Sequence, residues 1–341
     1  SEHYHRGADK VHGADGPLRV EQQRLHWPIL DAFKAACEAA GFQDQSDFNR
    51  GDNAGVGYFE VTQTKGRRLS SAGAFLHPIR HRTNLDLQTG CLIDRLELYG
   101  NRIIAVYGTQ HGQPVRWQAD RIILATGAVA TPVILERSGI GDPDHLAQLD
   151  IATAHPLPGV GQNLQDHLQI RMAYRLSQGD TLNQRANRWQ SRCAMALDYA
   201  LNRSGPLAMA PSQLGAFFRS SETVDRPDLE FHIQPLSADR LGTQLHPWPG
   251  ITASVCHLRP RSRGTIHAAS RDPHAAPRID PQYLSDPFDQ AIAIQAMRKT
   301  RSILQQPNLR PFQPEEFRPG ADAQSDASLL QAAGHIATTI F

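Results

Sequence analysis

GAVATPVILERSGIG, residues Gly127–Gly141, is the stretch on which the reading of the fold turns. It holds three glycines, a Thr-Pro step and only two charges, Glu136 and Arg137. Before it, Ile122-Ile123-Leu124 reads as a strand that runs through Ala125-Thr126 into Gly127. Within it, Thr131-Pro132 offers an N-cap and a first-turn proline for a short helix that Gly139 ends. A strand, a glycine turn and a helix start form the junction at which ligands usually sit in α/β sheets. Free N–H groups are presented there, and glycine lets the backbone approach closely. The same spacing fits a compact turn between packed elements equally well.

Upstream of that junction, Leu85–Thr89, Leu92–Leu98, Ile103–Gly108 and Val115–Leu124 read as strands, with turns at Tyr99-Gly100-Asn101 and His111-Gly112-Gln113. The result is a β-meander feeding one last apolar strand. Earlier still, the two glycines and the proline of His12–Leu18 make a turn before a short strand. Trp27-Pro28 then starts an amphipathic helix with Leu30, Phe33, Cys37 and Ala40 on one stripe and Gly41 as its stop. The glycine-rich run from Asn49 to Gly57 reads as loop. Its Gly55-Val56-Gly57 is no dinucleotide motif, because no strand precedes it and no third glycine follows. Downstream, Trp189, Cys193, Ala196 and Ala200 fit a second amphipathic helix. Leu229–Ile233 and Ile251–Leu258 read as strands of a separate antiparallel sheet. Asp286-Pro287 opens a third helix that buries Ile292, Ala296, Ile303 and Leu304.

At 341 residues the chain has room for about two domains and a sizeable core. Its 35 basic and 34 acidic residues nearly cancel, which speaks against a nucleic-acid partner. Cys37, Cys91, Cys193 and Cys256 form no CxxC pair, so neither a disulfide framework nor a zinc site is expected, and a reducing, cytoplasmic setting follows. The longest apolar run, Ile122–Leu135, is broken by Thr, Gly and Pro and is too short to span a bilayer. The polar start Ser1-Glu2-His3-Tyr4-His5 lacks the apolar core of a signal peptide. The first methionine is Met172, so the sequence is expected to be an internal fragment or a processed product.

Taken together, these segments resemble the glucose-methanol-choline (GMC) family of FAD-dependent alcohol oxidoreductases. Gly127–Gly141 is similar to the family's second signature: Gly-Ala, then Ser/Thr-Pro, an aliphatic pair and Ser-Gly-Ile-Gly. Three further motifs follow the family's order. They are Arg67–Ser71 with Ala74-Phe75-Leu76, Leu157–His167, and Arg259–Gly264 with Arg278–Leu284. The resemblance implies an α/β fold, with a partial Rossmann-like FAD-binding domain and an α+β substrate domain built on an antiparallel sheet. On that basis residues 1–16 and 66–165 are expected in the FAD-binding domain. Residues 17–65 and 166–325 fall mainly in the substrate domain, and 326–341 return to the FAD-binding part. Two family features are absent from the sequence: the GxGxxG that holds the FAD diphosphate, and the His-Pro-Val-Gly-Thr segment with the catalytic histidine, which Ala337–Phe341 would immediately precede. The resemblance therefore assigns no catalytic residue here.

What it does imply is FAD held by the backbone near Ile93, at the adenine edge, and by Ala125, Thr126, Gly127, Ala128, Thr131 and Pro132. It also implies oxidation of a small primary alcohol to an aldehyde, with the electron acceptor open. Two residues after His167, choline-oxidising relatives tend to carry a carboxylate that pairs with a quaternary ammonium. Here the residue is Gln169, which favours an uncharged alcohol, although a plain polar strand residue explains it too. A non-catalytic remnant of the family and a member with lyase chemistry are the alternatives. Asp166-His167 lacks the GxSxG elbow of a hydrolase. His77 and His81 have helical ligand spacing, but Pro78 intervenes and no third ligand is evident, so no metal site is expected.

Overall fold

The computed structural model describes residues 2–240 and 242–341. In chain order its main elements begin with helix α1 (Pro28–Ala39), strands β1 (Gly55–Tyr58), β2 (Cys91–Tyr99), β3 (Arg102–Gln110) and β4 (Gln113–Gln118), and helix α2 (Gly127–Arg137). Next come β5 (Leu168–Arg175), helix α3 (Trp189–Asn202), β6 (Leu214–Phe218), β7 (Leu229–Gln234), β8 (Gly250–His257), β9 (Thr265–His267) and β10 (Arg278–Asp280). Helix α4 (Pro287–Leu304), β11 (Glu315–Arg318), helix α5 (Asp326–Ile336) and β12 (Ala337–Thr339) complete the set. The chain divides into two compact units, one of Ser1–His81, His167–Arg259 and Phe288–Phe341, the other of Arg82–Asp166 and Pro260–Pro287.

The first unit is built on a seven-stranded sheet in the order β11, β5, β8, β7, β6, β1, with β12 also pairing with β5. Neighbouring strands run antiparallel. Successive side chains on a strand face opposite ways, so each strand divides its residues between two faces. One face is apolar: Ile170 and Met172 of β5 share it with Ala253 and Val255, Phe231 and Ile233, and Leu214 and Ala216, all buried. Helix α1 covers part of it as its stripe predicts, burying Leu30, Phe33 and Cys37. The Phe33 ring meets Phe231 edge-on at 6.3 Å, a geometry worth about 1 kcal/mol beyond the area it buries. Helix α4 buries Ile292, Ala296, Ile303 and Leu304 as expected. The opposite face of the same strands is polar, and its central residues are buried as well.

His257, at the end of β8, lies on the helix-covered side with Phe288 at 5.7 Å and Asp289 Oδ1 3.5 Å from its Nδ1. Burial pushes its pKa below the usual histidine value, outweighing the pull of Asp289 and Asp228. The folded state therefore holds the ring neutral, while the unfolded chain takes up a proton below about pH 6.5. His257's stability contribution is full above that pH and declines as pH falls toward the folded value. Urea unfolding is expected to lose less stability between about pH 7 and about pH 5 in His257→Gln than in the parent. Equal losses in the two proteins would count against this assignment.

The second unit contains the antiparallel meander β2-β3-β4, with Gly100 at φ 57° and His111-Gly112 at φ 50° and 81° in its two turns. Val133 of α2 packs with Ile266 and Ala268, flanked by Leu149 and Leu164. Among the described residues no helix is long and apolar enough to cross a membrane.

Several local expectations need correction. Leu85–Thr89 forms no strand. The final strand of the meander stops at Gln118, and Ile122-Ile123-Leu124 joins no ladder among the described residues; Ile123 is 88% exposed. An apolar run supplies strand propensity, but only a neighbouring backbone can satisfy its N–H and C=O groups. Helix α2 starts at Gly127, with Thr126 at the position before it, rather than at Thr131, and Pro132 lies inside it. Gly139 does end it, at φ 80°, donating its N–H to Glu136 O. Part of the expected Asn49–Gly57 loop is strand β1. Its glycines serve a close crossing, since a Cβ on Gly57 would stand 1.8 Å from Gln45 O. Helix α3 forms from good helix formers yet buries no residue, and Trp189 stays 70% exposed.

Candidate functional site

The residues expected to face the cofactor gather in the second unit around the two ends of α2. At its C-terminal end, Arg137 Nε donates to Asp94 O at 3.0 Å and Nη2 to Ile93 O at 3.4 Å, while Ser138 Oγ accepts from Leu96 N at 2.8 Å. These bonds tie the helix to β2 and fix the backbone at Ile93. Burial pushes the Arg137 pKa down against the opposing charges of Asp94 and Asp272.

At the N-terminal end, Ala125, Thr126, Gly127 and Ala128 are exposed. Thr126 stands at the capping position but does not cap; its Oγ1 pairs with Thr131 Oγ1 at 2.8 Å, so Thr131 stiffens the first turns rather than starting the helix. The first N–H groups of α2 therefore have no side-chain acceptor, and the helix dipole leaves partial positive charge there. Gly127 adopts φ 78°, a conformation that disfavours side-chain-bearing residues, and a Cβ built on it would meet nothing within 4 Å. Open space in front of uncapped N–H groups fits a group that brings hydrogen-bond acceptors and a flat ring against the backbone, as FAD would.

At the C-terminal end, the helix is also secured by Glu136, which is fully buried. Its Oε1 accepts from His267 Nδ1 at 2.6 Å and its Oε2 from Ala268 N at 2.6 Å, and His145 Nε2 lies 3.5 Å from Oε2. The three side chains could in principle ligate a metal ion. Both carboxylate oxygens are already engaged by protein donors, which is the arrangement of a structural clasp between α2 and β9.

Gln169 sits in the first unit, buried on β5, where it pairs with Cys256 of β8 and Thr338 of β12. The sheet register places its polar neighbours. Residues directly opposite one another share a face, so Arg171, Ser254 and His232 form one row across β5, β8 and β7. The next row holds Gln169, Cys256 and Glu230. Burial pushes the Cys256 thiol up, past the range in which a thiolate forms. Glu230 Oε1 lies 2.9 Å from His232 Nε2. Of these residues only Gln169 was singled out from the sequence. Gln169-Ile170-Arg171 does show the alternation of a strand with a polar side, but burial of that side comes from the sheet. Asp166 accepts from the Tyr283 hydroxyl, and His167 Nε2 donates to Leu258 O at 2.9 Å. His77 and His81 are exposed.

Known proteins match along both parts of the chain. A family profile described as GMC oxidoreductase matches residues 1–169, and a second of the same description matches residues 260–341. The oxygen-dependent choline dehydrogenase of Chromohalobacter salexigens is 35% identical over 326 residues, 95% of this chain and 58% of that protein. The one from Pseudomonas syringae pv. tomato is 34% identical over 340 residues, covering 98% and 60%. The chain thus spans about 58% of the length of the first of these relatives. Among solved structures, pyridoxine 4-oxidase from Mesorbium loti superposes with a TM-score of 0.85 at 24% identity, over 99% of this chain and 63% of that one. Formate oxidase of Aspergillus oryzae gives 0.88 at 21%, over 100% and 65%, a likeness of fold.

Proposed function

This chain belongs to the GMC oxidoreductase family, and from that premise we propose that the whole protein oxidises a primary alcohol to an aldehyde with FAD as its cofactor. The observation that carries the reading is the start of α2, where uncapped N–H groups and the positive-φ Gly127 face open space. Ala125, Thr126, Gly127 and Ala128 would hold the cofactor through their backbone, with Thr131 and Pro132 stiffening the turn behind them and the Ile93 backbone meeting the adenine edge. When bound, FAD supplies a two-electron acceptor for the hydride leaving the carbinol carbon. The residues of the sheet's polar face would orient the alcohol, and Gln169 would contact it. The segment Ala337–Phe341, which the family resemblance places next to a catalytic histidine, begins as β12, whose Thr338 pairs with Gln169. This pairing supports a substrate-facing role for Gln169.

The direct test is anaerobic mixing of the FAD-loaded protein with primary alcohols. Bleaching of the flavin absorption and formation of one aldehyde per flavin are expected. Retention of the oxidised spectrum with every alcohol, together with alcohol-independent turnover of a substrate through C–C cleavage, would instead favour the lyase alternative.

A further inference from the structure

Arg171 lies on the sheet's polar face, on the strand beside β11 and β12, and is only 7% exposed. Among the described residues neither of its Nη atoms has a hydrogen-bond partner, and no carboxylate forms an ion pair with it. Directly across the strand pair, Ser254 is 1% exposed and its Oγ is also unpartnered. The other polar side chains nearby are differently placed. Thr252 spends its hydroxyl on Leu236 O at 2.8 Å, and Glu230 lies against His232. Arg318, whose β11 residue pairs with Ala173 on the far side of β5, is bound to Asp239, and its charge adds to that of Arg171.

A buried guanidinium without a counter-charge is costly, and native structures pair such groups. The fork of two Nη donors matches two carboxylate oxygens, and one cation balances one anion, which suits a carboxylate better than a phosphate dianion. We propose that this row is a carboxylate-recognition site, in which Arg171 and Ser254 bind the anionic end of the substrate. The substrate is then a primary alcohol that also carries a carboxylate. That replaces the uncharged alcohol suggested by Gln169 alone, and it disfavours a quaternary ammonium, which Arg171 would repel. Assigning the bound carboxylate to the substrate rests on the alcohol-oxidation reading; the anion site itself does not.

Two measurements separate these claims. Benzoate titrated calorimetrically into the FAD-loaded protein is expected to bind roughly thirtyfold more weakly to Arg171→Met and several-fold more weakly to Ser254→Ala, with Arg171→Lys in between. The kcat/KM ratio of 4-(hydroxymethyl)benzoate to 4-methylbenzyl alcohol is expected to be roughly thirty or more in the parent, and to fall toward one in Arg171→Met, mainly through KM. Equal benzoate affinity in the parent and both Arg171 variants, each with parent-like circular dichroism, would overturn the site. Benzoate binding that depends on Arg171, with no alcohol reducing the flavin, would support the site and sink the oxidation reading. Flavin reduction by alcohols with a ratio near one in the parent would overturn the carboxylate-bearing substrate.

Discussion

Replacing Glu136 with Ala is expected to destabilise the protein by about 3 kcal/mol, because it strips acceptors from two donors at a buried position. Glu136 has no exposed surface, and its two oxygens hold the His267 ring and the Ala268 amide at 2.6 Å each. Alanine would leave the buried Ala268 N–H unsatisfied and open a cavity beneath α2. Glu136→Gln keeps the volume and one acceptor oxygen, so about half the loss is expected from it. Equilibrium urea unfolding of the three proteins gives the comparison. A loss under about 1 kcal/mol in Glu136→Ala would show that water or neighbouring groups replace the clasp.

Gly127→Val is the second large effect, and it should separate cofactor binding from stability. At φ 78° a β-branched side chain costs about 1–2 kcal/mol of backbone strain. The chain itself offers no clash, since nothing lies within 4 Å of the added Cβ. Stability should therefore fall only by that strain. If the backbone at Gly127 holds the flavin, the new side chain occupies its space, and FAD affinity should drop by roughly a hundredfold, or about 2.7 kcal/mol. Gly127→Ala, smaller and unbranched, should fall between. The readout is the ratio of flavin to protein absorbance after purification, together with FAD titration. Full retention of flavin by Gly127→Val would remove α2 from the cofactor site.

Local chemistry accounts for the elements that could be read in advance. The period of Leu30, Phe33 and Cys37 and the proline after Trp27 were enough for α1. Tyr99-Gly100-Asn101 and His111-Gly112 were enough for the meander's turns, because positive φ is required there and these residues tolerate it. The ordered glycine, proline and arginine motifs were enough for the family. These signals survive in one dimension because each depends on residues within a turn or two of one another.

Contacts distant in sequence decided the rest. Ile122-Ile123-Leu124 has strand composition but no ladder, since pairing belongs to two segments and not to one. Thr131 has capping chemistry but sits inside a helix, its hydroxyl paired with Thr126. Glu136 reads as one of two charges in an apolar run, and only the arrival of residues 267 and 268 makes it a clasp. Arg171 and Ser254 are 83 positions apart, and they meet because β5 and β8 pair in that register. Composition and spacing thus determined the helices, the turns and the family of this chain. Which polar groups lie buried without partners was determined by the sheet alone, because desolvation depends on what surrounds a side chain in space.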